Sequence, residues 1–463
     1  MGTLIRDATL ADGRRCDVRI EGERIAAVAD AGSLDGDDDG PSEGGADATA
    51  GGGAGDENTV IDADGRLLLP GAIDVHVHFR QPGYSHKETW TTGSRAAAAG
   101  GVTTVVDQPN TDPPTTTGAA FDEKARLARE SLVDFGVNGG VTSDWDPDSL
   151  LSRPLFALGE VFLADSTGDM GIEADLYADA VERAAAADVP VTVHAEDASL
   201  FDSSVEGSDA GGTGRAADAD RWSAFRTAEA EAAAVERAVE VAAGADAQVH
   251  IAHTSTPEGI DAAADAGATC EVTPHHLFLS REDLRDLGTY GRMNPPLRSE
   301  ERRRGVFDRV ADGTVDVIAT DHAPHTTEEK ERGLWDAPSG VPGVETMLPL
   351  LLEAARRGRL SYERVRDLTA RNPAAVFGLP RKGRIEAGRD ADLVLVDRDS
   401  HRTIRGEDLH SKCGWTPFEG FSGVFPDLTL VRGRVAYERD GDAEQFGAPL
   451  GENVRTSSHP DST

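Results

Sequence analysis

Residues 72–78 read AIDVHVH. Successive side chains of a β-strand point to opposite faces, so His76 and His78 share one face while Val75 and Val77 occupy the other. At the C-terminal end of a barrel strand that face lines the mouth, where two imidazoles can hold a divalent cation, at about 2 Å for zinc. Alone, the pair does not separate a metal site from chance polar placement.

Its company does. Seven more apolar runs follow: VTTVVD (102–107), DFGVNG (134–139), LFALGEVF (155–162), VPVTVH (189–194), AQVHIAH (247–253), TCEVTP (269–274) and VDVIAT (315–320). Ala-rich stretches studded with Arg and Glu alternate with them, the pattern of βα units around a parallel sheet. Eight such units predict an α/β fold, a TIM-like (β/α)8 barrel rather than an open sheet. His194, His253 and Asp321 end the fifth, sixth and eighth runs. Four histidines and one aspartate therefore fall at the C-terminal strand ends, where barrel enzymes place catalysis. Satisfied core histidines would have no reason to share one end. Neither a serine nucleophile elbow nor a glycine-rich phosphate loop is present, so acyl-enzyme chemistry and nucleotide binding lack support.

Short β patterns flank the barrel on both sides: TLIRDATL and RCDVRIEGERIAAVAD before it, GRIEAGRDADLVLVD and LTLVRGRVAYERD after it. Neither set has enough core alone, so the two are expected to pair into one small flanking β-domain. The expected boundaries are 1–67 and 377–440 for the two parts of that domain, 68–376 for the barrel, and 441–463 for a loose tail. Residues 31–58 are mostly Asp, Gly, Ala and Ser, with Leu34 the only large apolar side chain. Such a stretch buries too little to order itself, and is expected to be a disordered insertion in a hairpin loop.

The chain carries 46 Lys plus Arg against 83 Asp plus Glu, a net charge of −37 that opposes any general affinity for nucleic acid or anionic membrane. The basic residues are 5 Lys and 41 Arg. An acidic, lysine-poor surface suits a high-salt cytoplasm, where dense salt screens self-repulsion. Three dispersed cysteines make no disulfide framework, and no run of 18 apolar residues is present, so a soluble cytoplasmic protein is expected.

HVHFRQPGYSHKETWTTGSRAAAAGGVTTVVDQPNTDPPTT (76–116) and ATDHAPHTTEEK (319–330) resemble the two signature segments of the dihydroorotases, in the amidohydrolase superfamily. CEVTPHHLFLS, MNPPLR, SGVPGVETMLPLLL and KCGWTPFEG support the resemblance, which spans the chain except residues 31–58 and the tail. It implies reversible hydrolysis of L-dihydroorotate to N-carbamoyl-L-aspartate in pyrimidine synthesis. It also implies that His76, His78 and Asp321 hold one metal and His194 and His253 a second, with Asp321 as the catalytic proton carrier. Arg80, Asn110 and His325 match the family's contacts to the substrate carboxylate. Histidine and carboxylate ligands suit Zn2+ first, with cobalt and manganese as other divalent metals. Dinuclear relatives bridge their metals with a carbamylated lysine on the fourth strand. Here no Lys occurs between Lys124 and Lys330, and the position holds Glu160, a carboxylate already. Glu160 is therefore assigned as the bridge, with Asp165 or a mononuclear site as alternatives. Allantoinase, dihydropyrimidinase or an inactive structural relative are the competing functions. A carboxylate clamp favours dihydroorotate, and the complete ligand set favours an enzyme. The resemblance further suggests a homo-oligomer and leaves association with aspartate transcarbamoylase undetermined.

Overall fold

A computed structural model describes residues 2–34, 59–164, 170–206 and 212–456. Each of the eight apolar runs contains a strand. In chain order they are β1 (Ala72–Val77), β2 (Val102–Asp107), β3 (Asp134–Val137), β4 (Leu158–Phe162), β5 (Val191–His194), β6 (Val249–Ile251), β7 (Thr269–Val272) and β8 (Val317–Ile318). β1 to β3 pair in parallel, as do β4 to β8. Parallel bridges Gly139–Leu158 and Val77–His322 join the two groups into a closed ring. All six residues of β1 are buried, as a strand covered on both faces requires.

Several of the helices that cover the ring are rich in alanine. Ala228–Gly244 starts at Thr227, whose hydroxyl accepts from the Ala230 N–H, and buries Ala230, Ala234, Val235, Ala238 and Ala242 on one stripe. Glu231, one turn in, is also buried because its carboxylate accepts from the Ser255 and Thr256 N–H groups after β6. That bond fixes the start of the loop beside His253.

Both chain ends meet in one nine-stranded sheet. Leu67–Pro70 pairs antiparallel with Leu393–Val396, which pairs with Leu428–Val431. Ile5, Val18, Ile20, Leu393 and Leu395 form its core, each buried aliphatic side chain contributing about 1.5–3 kcal/mol. Three details differ from expectation. Residues 68–70 belong to this sheet, so the barrel starts at Ala72. Thr59–Asp62 lies parallel to Gly2–Thr9, whereas Arg24–Asp30 pairs with Arg15–Glu21. The acidic insertion therefore spans a crossover rather than a hairpin; its residues 35–58 lie outside the described residues. The stretch from 441 is not loose as far as residue 456. Ala443–Phe446 pairs with Arg434–Asp440, and Val454 is buried with its N–H bonded to the Phe135 carbonyl. Phe446 and Val454 supply the apolar anchors that the polar composition of the tail obscures.

Candidate active site

The C-terminal strand ends bring His76, His78, Glu160, His194, His253 and Asp321 together, all less than a tenth exposed. Local bonds explain how the chain holds them there. Asp74, buried beneath, accepts from the His76 N–H, the Thr320 N–H and the Thr320 hydroxyl, tying β1 to β8. Burial pushes its carboxyl up to about 7. Asp107, ending β2, accepts from the Phe79 N–H at 2.6 Å and from the Lys124 ammonium at 2.7 Å, which sets the turn after His78. Gln108 Oε1 accepts from the Glu160 N–H and from Asn138, so Glu160 is placed through β2 and β3. Arg80, His253 and Asp321 have φ of 64°, 35° and 46°, left-handed conformations uncommon outside glycine.

The donor set is arranged for a cation. His76 Nδ1 is 2.6 Å from Glu271 Oε1, so that nitrogen carries the proton and donates. Its Nε2 makes no hydrogen bond although buried, and faces Glu160 Oε2 at 3.3 Å and Asp321 Oδ1 at 3.6 Å. His78 Nδ1 donates to Asn110 Oδ1 at 2.7 Å, leaving its Nε2 lone pair against Asp321 Oδ1 at 2.9 Å. His194 Nε2 donates to Glu196 at 2.9 Å, and its Nδ1 faces Glu160 Oε1 and His253 Nε2, each at 3.0 Å. Ring lone pairs thus converge on carboxylate oxygens with no donor between them. For His76 and His194 this is the carboxylate–histidine–metal pattern, in which an outer acid fixes the ring; an amide does the same for His78, and the buried Nδ1 of His253 makes no hydrogen bond. Glu160 offers Oε1 to the His194–His253 pair, 2.6 Å from His253 Nε2, and Oε2 to His76. His76, Glu160 and His253 form one group of potential ligand atoms, and His76, His78 and Asp321 another. Asp165 lies outside the described residues.

Beside the cluster is a narrow cleft lined by Arg80, Asn110, Asn294, Ser339 and Gly340 together with His78, Glu160, His253 and Asp321. Arg80 is 2% exposed. Its Nε donates to the Pro324 carbonyl at 3.3 Å, its Nη2 lies 3.1 Å from His325 Nε2, and among the described residues no carboxylate is in ion-pair contact with it. A buried guanidinium lacking an anion is costly unless a ligand supplies one. His325 is fully buried behind Arg80 rather than on the cleft wall, its Nε2 also 2.8 Å from the Ser339 carbonyl. Sequence reasoning missed four supporting residues. Glu271 and Glu196 betray themselves only as acids inside or just after apolar strands. Gln108 carries no comparable mark. Asn294 accepts from the Trp222 indole at 3.0 Å and from Ser339, which turns its amide NH2 away from them, a contact no spacing rule reveals.

The Amidohydrolase family model matches residues 67–436. The dihydroorotase of Halobacterium salinarum is 66% identical over 454 residues, 98% of this chain and 99% of its own length. That of Methanosarcina acetivorans is 44% identical over 82% of this chain and 84% of its own. That of Bacillus subtilis is 37% identical over 92% and 94%. Among solved structures, the L-hydantoinase of Arthrobacter aurescens superposes with a TM-score of 0.86 at 27% identity, covering 97% of this chain and 99% of its own.

Proposed function

The chain belongs to the amidohydrolase family, its curated relatives are dihydroorotases, and on that footing we propose how its residues carry out that reaction, the reversible hydrolysis of L-dihydroorotate to N-carbamoyl-L-aspartate. His76, His78 and Asp321 would hold one divalent cation, His194 and His253 a second, with one Glu160 oxygen toward each. Zinc is the first choice for such a nitrogen and carboxylate set. Bound there, the cations would polarise the ring amide carbonyl and make water acidic enough to attack it.

The remaining work falls to the protein. Arg80 receives the substrate carboxylate on its two-pronged fork, Asn110 lies alongside, and His325 backs the guanidinium. Asp321 takes the proton of the attacking water and passes it to the ring nitrogen as the carbon–nitrogen bond breaks, with the roles reversed in ring closure. Burial of the whole cluster keeps bulk water from competing. The cytoplasmic assignment is supported by three buried free cysteines and by the lack, among the described residues, of any helix long and apolar enough to cross a membrane. The family resemblance supports assembly as a homo-oligomer.

The unpaired, buried Arg80 beside the cluster carries this proposal, because a cyclic amide without a ring carboxylate gives that charge no partner. Arg80→Met should lower kcat/KM on dihydroorotate by about 30-fold or more, the 2–5 kcal/mol of a severed buried charge pair, while metal content is unchanged. Full activity in that variant, or a wild-type preference for allantoin or a hydantoin, would overturn it.

A further inference from the structure

Lysine is nearly absent from the chain, 5 against 41 Arg, yet the ammonium groups that remain are all engaged. Lys124 bonds Asp107 and the Gln108 carbonyl, and Lys382 bonds Asp134 and Asp392. Lys330, fully buried, donates to the carbonyls of Arg292, Pro338 and Gly340. Lys412 donates to the Ser85 carbonyl. Where arginine serves nearly everywhere else, these positions use a compact ammonium. Lys87, the fifth, lies behind the carboxylate clamp, 3.1 Å from His325 Nδ1 and 3.0 Å from Glu329 Oε1.

His325 has two neutral forms, and its surroundings choose between them. Nε2 lies 2.8 Å from the Ser339 carbonyl, which only accepts, and 3.1 Å from Arg80 Nη2, which only donates. Nδ1 faces the Lys87 ammonium, a donor; Glu329 Oε2 is 3.8 Å away, beyond hydrogen-bond reach. With the proton on Nε2, the ring donates to Ser339 and accepts from Lys87, and Arg80 Nη2 is left unbonded. With the proton on Nδ1, two N–H donors face each other at Lys87, two acceptors face each other at Ser339, and Arg80 becomes bonded to the ring.

We infer that Lys87 is a positioning residue: by fixing His325 in its Nε2–H form it stops that ring from claiming Arg80, and so keeps the guanidinium available for the substrate carboxylate. The inference rests on the proposed carboxylate clamp at Arg80. Lys87 itself does not line the cleft, so it acts on binding and not on the proton transfers at Asp321.

Nitrogen-15 spectra of the wild-type, metal-loaded enzyme should show His325 protonated on Nε2; protonation on Nδ1 overturns the proposal without any variant. Lys87→Met should raise KM for dihydroorotate about ten-fold, the size of one hydrogen bond to a charged group, change kcat by less than about two-fold, and shift the His325 proton toward Nδ1. Lys87→Arg, which keeps a donor, should recover most of the loss. An unchanged KM and tautomer in Lys87→Met, or a fall confined to kcat, overturns the role of Lys87. Arg80→Met tells the two levels apart. If it abolishes tight binding while Lys87→Met does not, the clamp stands and the Lys87 inference falls; if it leaves KM unchanged, both fall.

Discussion

At the N-terminal end of the barrel, Lys382 lies 2.8 Å from Asp134 at the start of β3 and 2.5 Å from Asp392 in the flanking sheet, while Arg432 also bonds Asp134. The Glu452 N–H closes the same group from the tail. At the C-terminal end, Glu160 and Asp321 are just as buried, but what faces them is ring lone pairs and a cleft. The first cluster finds its opposite charges within the chain and joins three parts of the molecule. The second sets ring nitrogens against carboxylates and, among the described residues, leaves Arg80 without a facing carboxylate, an arrangement that a cation and a substrate anion would complete. In one barrel, buried charge at one end serves stability and at the other serves chemistry, the division barrel enzymes show generally.

Substitutions at the two ends should therefore fail in different ways. Asp321→Asn removes the proton carrier, so kcat should fall by about 10²- to 10⁴-fold, while the metal-free protein keeps its melting temperature. A variant that melts early instead would erase the contrast. Lys382→Met does the converse. It leaves Asp392 buried without its cation and Asp134 with Arg432 alone, and should cost about 3–5 kcal/mol in denaturant titration with activity per folded molecule retained. Raising KCl should stabilise the wild type by screening its −37 net charge, yet leave the Lys382→Met deficit nearly unchanged, because a buried pair is poorly screened. Glu160→Ala should sharpen the picture at the catalytic end. With both carboxylate oxygens gone, metal analysis should find the ion at His194 and His253 lost first. The wild-type apo-protein should recover activity with metal in carbon-dioxide-depleted buffer as fast as with bicarbonate, since Glu160 needs no carbamylation. Dependence on bicarbonate would place the bridge elsewhere.

What the sequence made legible follows the same divide. The candidate ligand residues could be located because period 2 and strand ends are local properties: His76, His78, His194, His253 and Asp321 each sit at or just past the end of an apolar run. The eight strands were readable for the same reason, whereas their closure through Gly139–Leu158 and Val77–His322 depends on register and is not local. Of the residues that orient the candidate ligands, Glu196 is two positions from His194, but the others are distant in the chain. Glu271 reaches His76 across 195 positions, and Lys382 reaches Asp134 across 248. Nothing in the neighbourhood of either partner announces such a pairing. The packing of residues 441–456 is hidden from the sequence for a related reason. Their order depends on a few anchors, Phe446 and Val454 among them, whose partners lie in Arg434–Asp440 and at Phe135.

The smallest effect should come from a charge pair between these extremes, at the edge of that tail. His410 Nδ1 is 2.9 Å from Glu345, its Nε2 is 3.1 Å from Glu444 on the strand Ala443–Phe446, and its N–H bonds Glu345 as well. Burial works against a charged ring, but the two carboxylates more than offset it, and the imidazole titrates above its usual value. A group whose folded pKa is raised stabilises the fold fully below its unfolded pKa, about 6.5 for histidine, and loses that contribution as pH climbs through the folded value. The melting temperature of His410→Gln should therefore fall furthest below wild type at about pH 5.5 and converge with it at about pH 9. The buried Lys382 cluster should show no such convergence over that range, because burial opposes its charge but the aspartates hold the ammonium protonated well above it. A His410→Gln deficit that is flat with pH, or that grows as pH rises, would mean that the ring binds the tail as a neutral group, and that only the fully buried clusters use charge to hold this fold together.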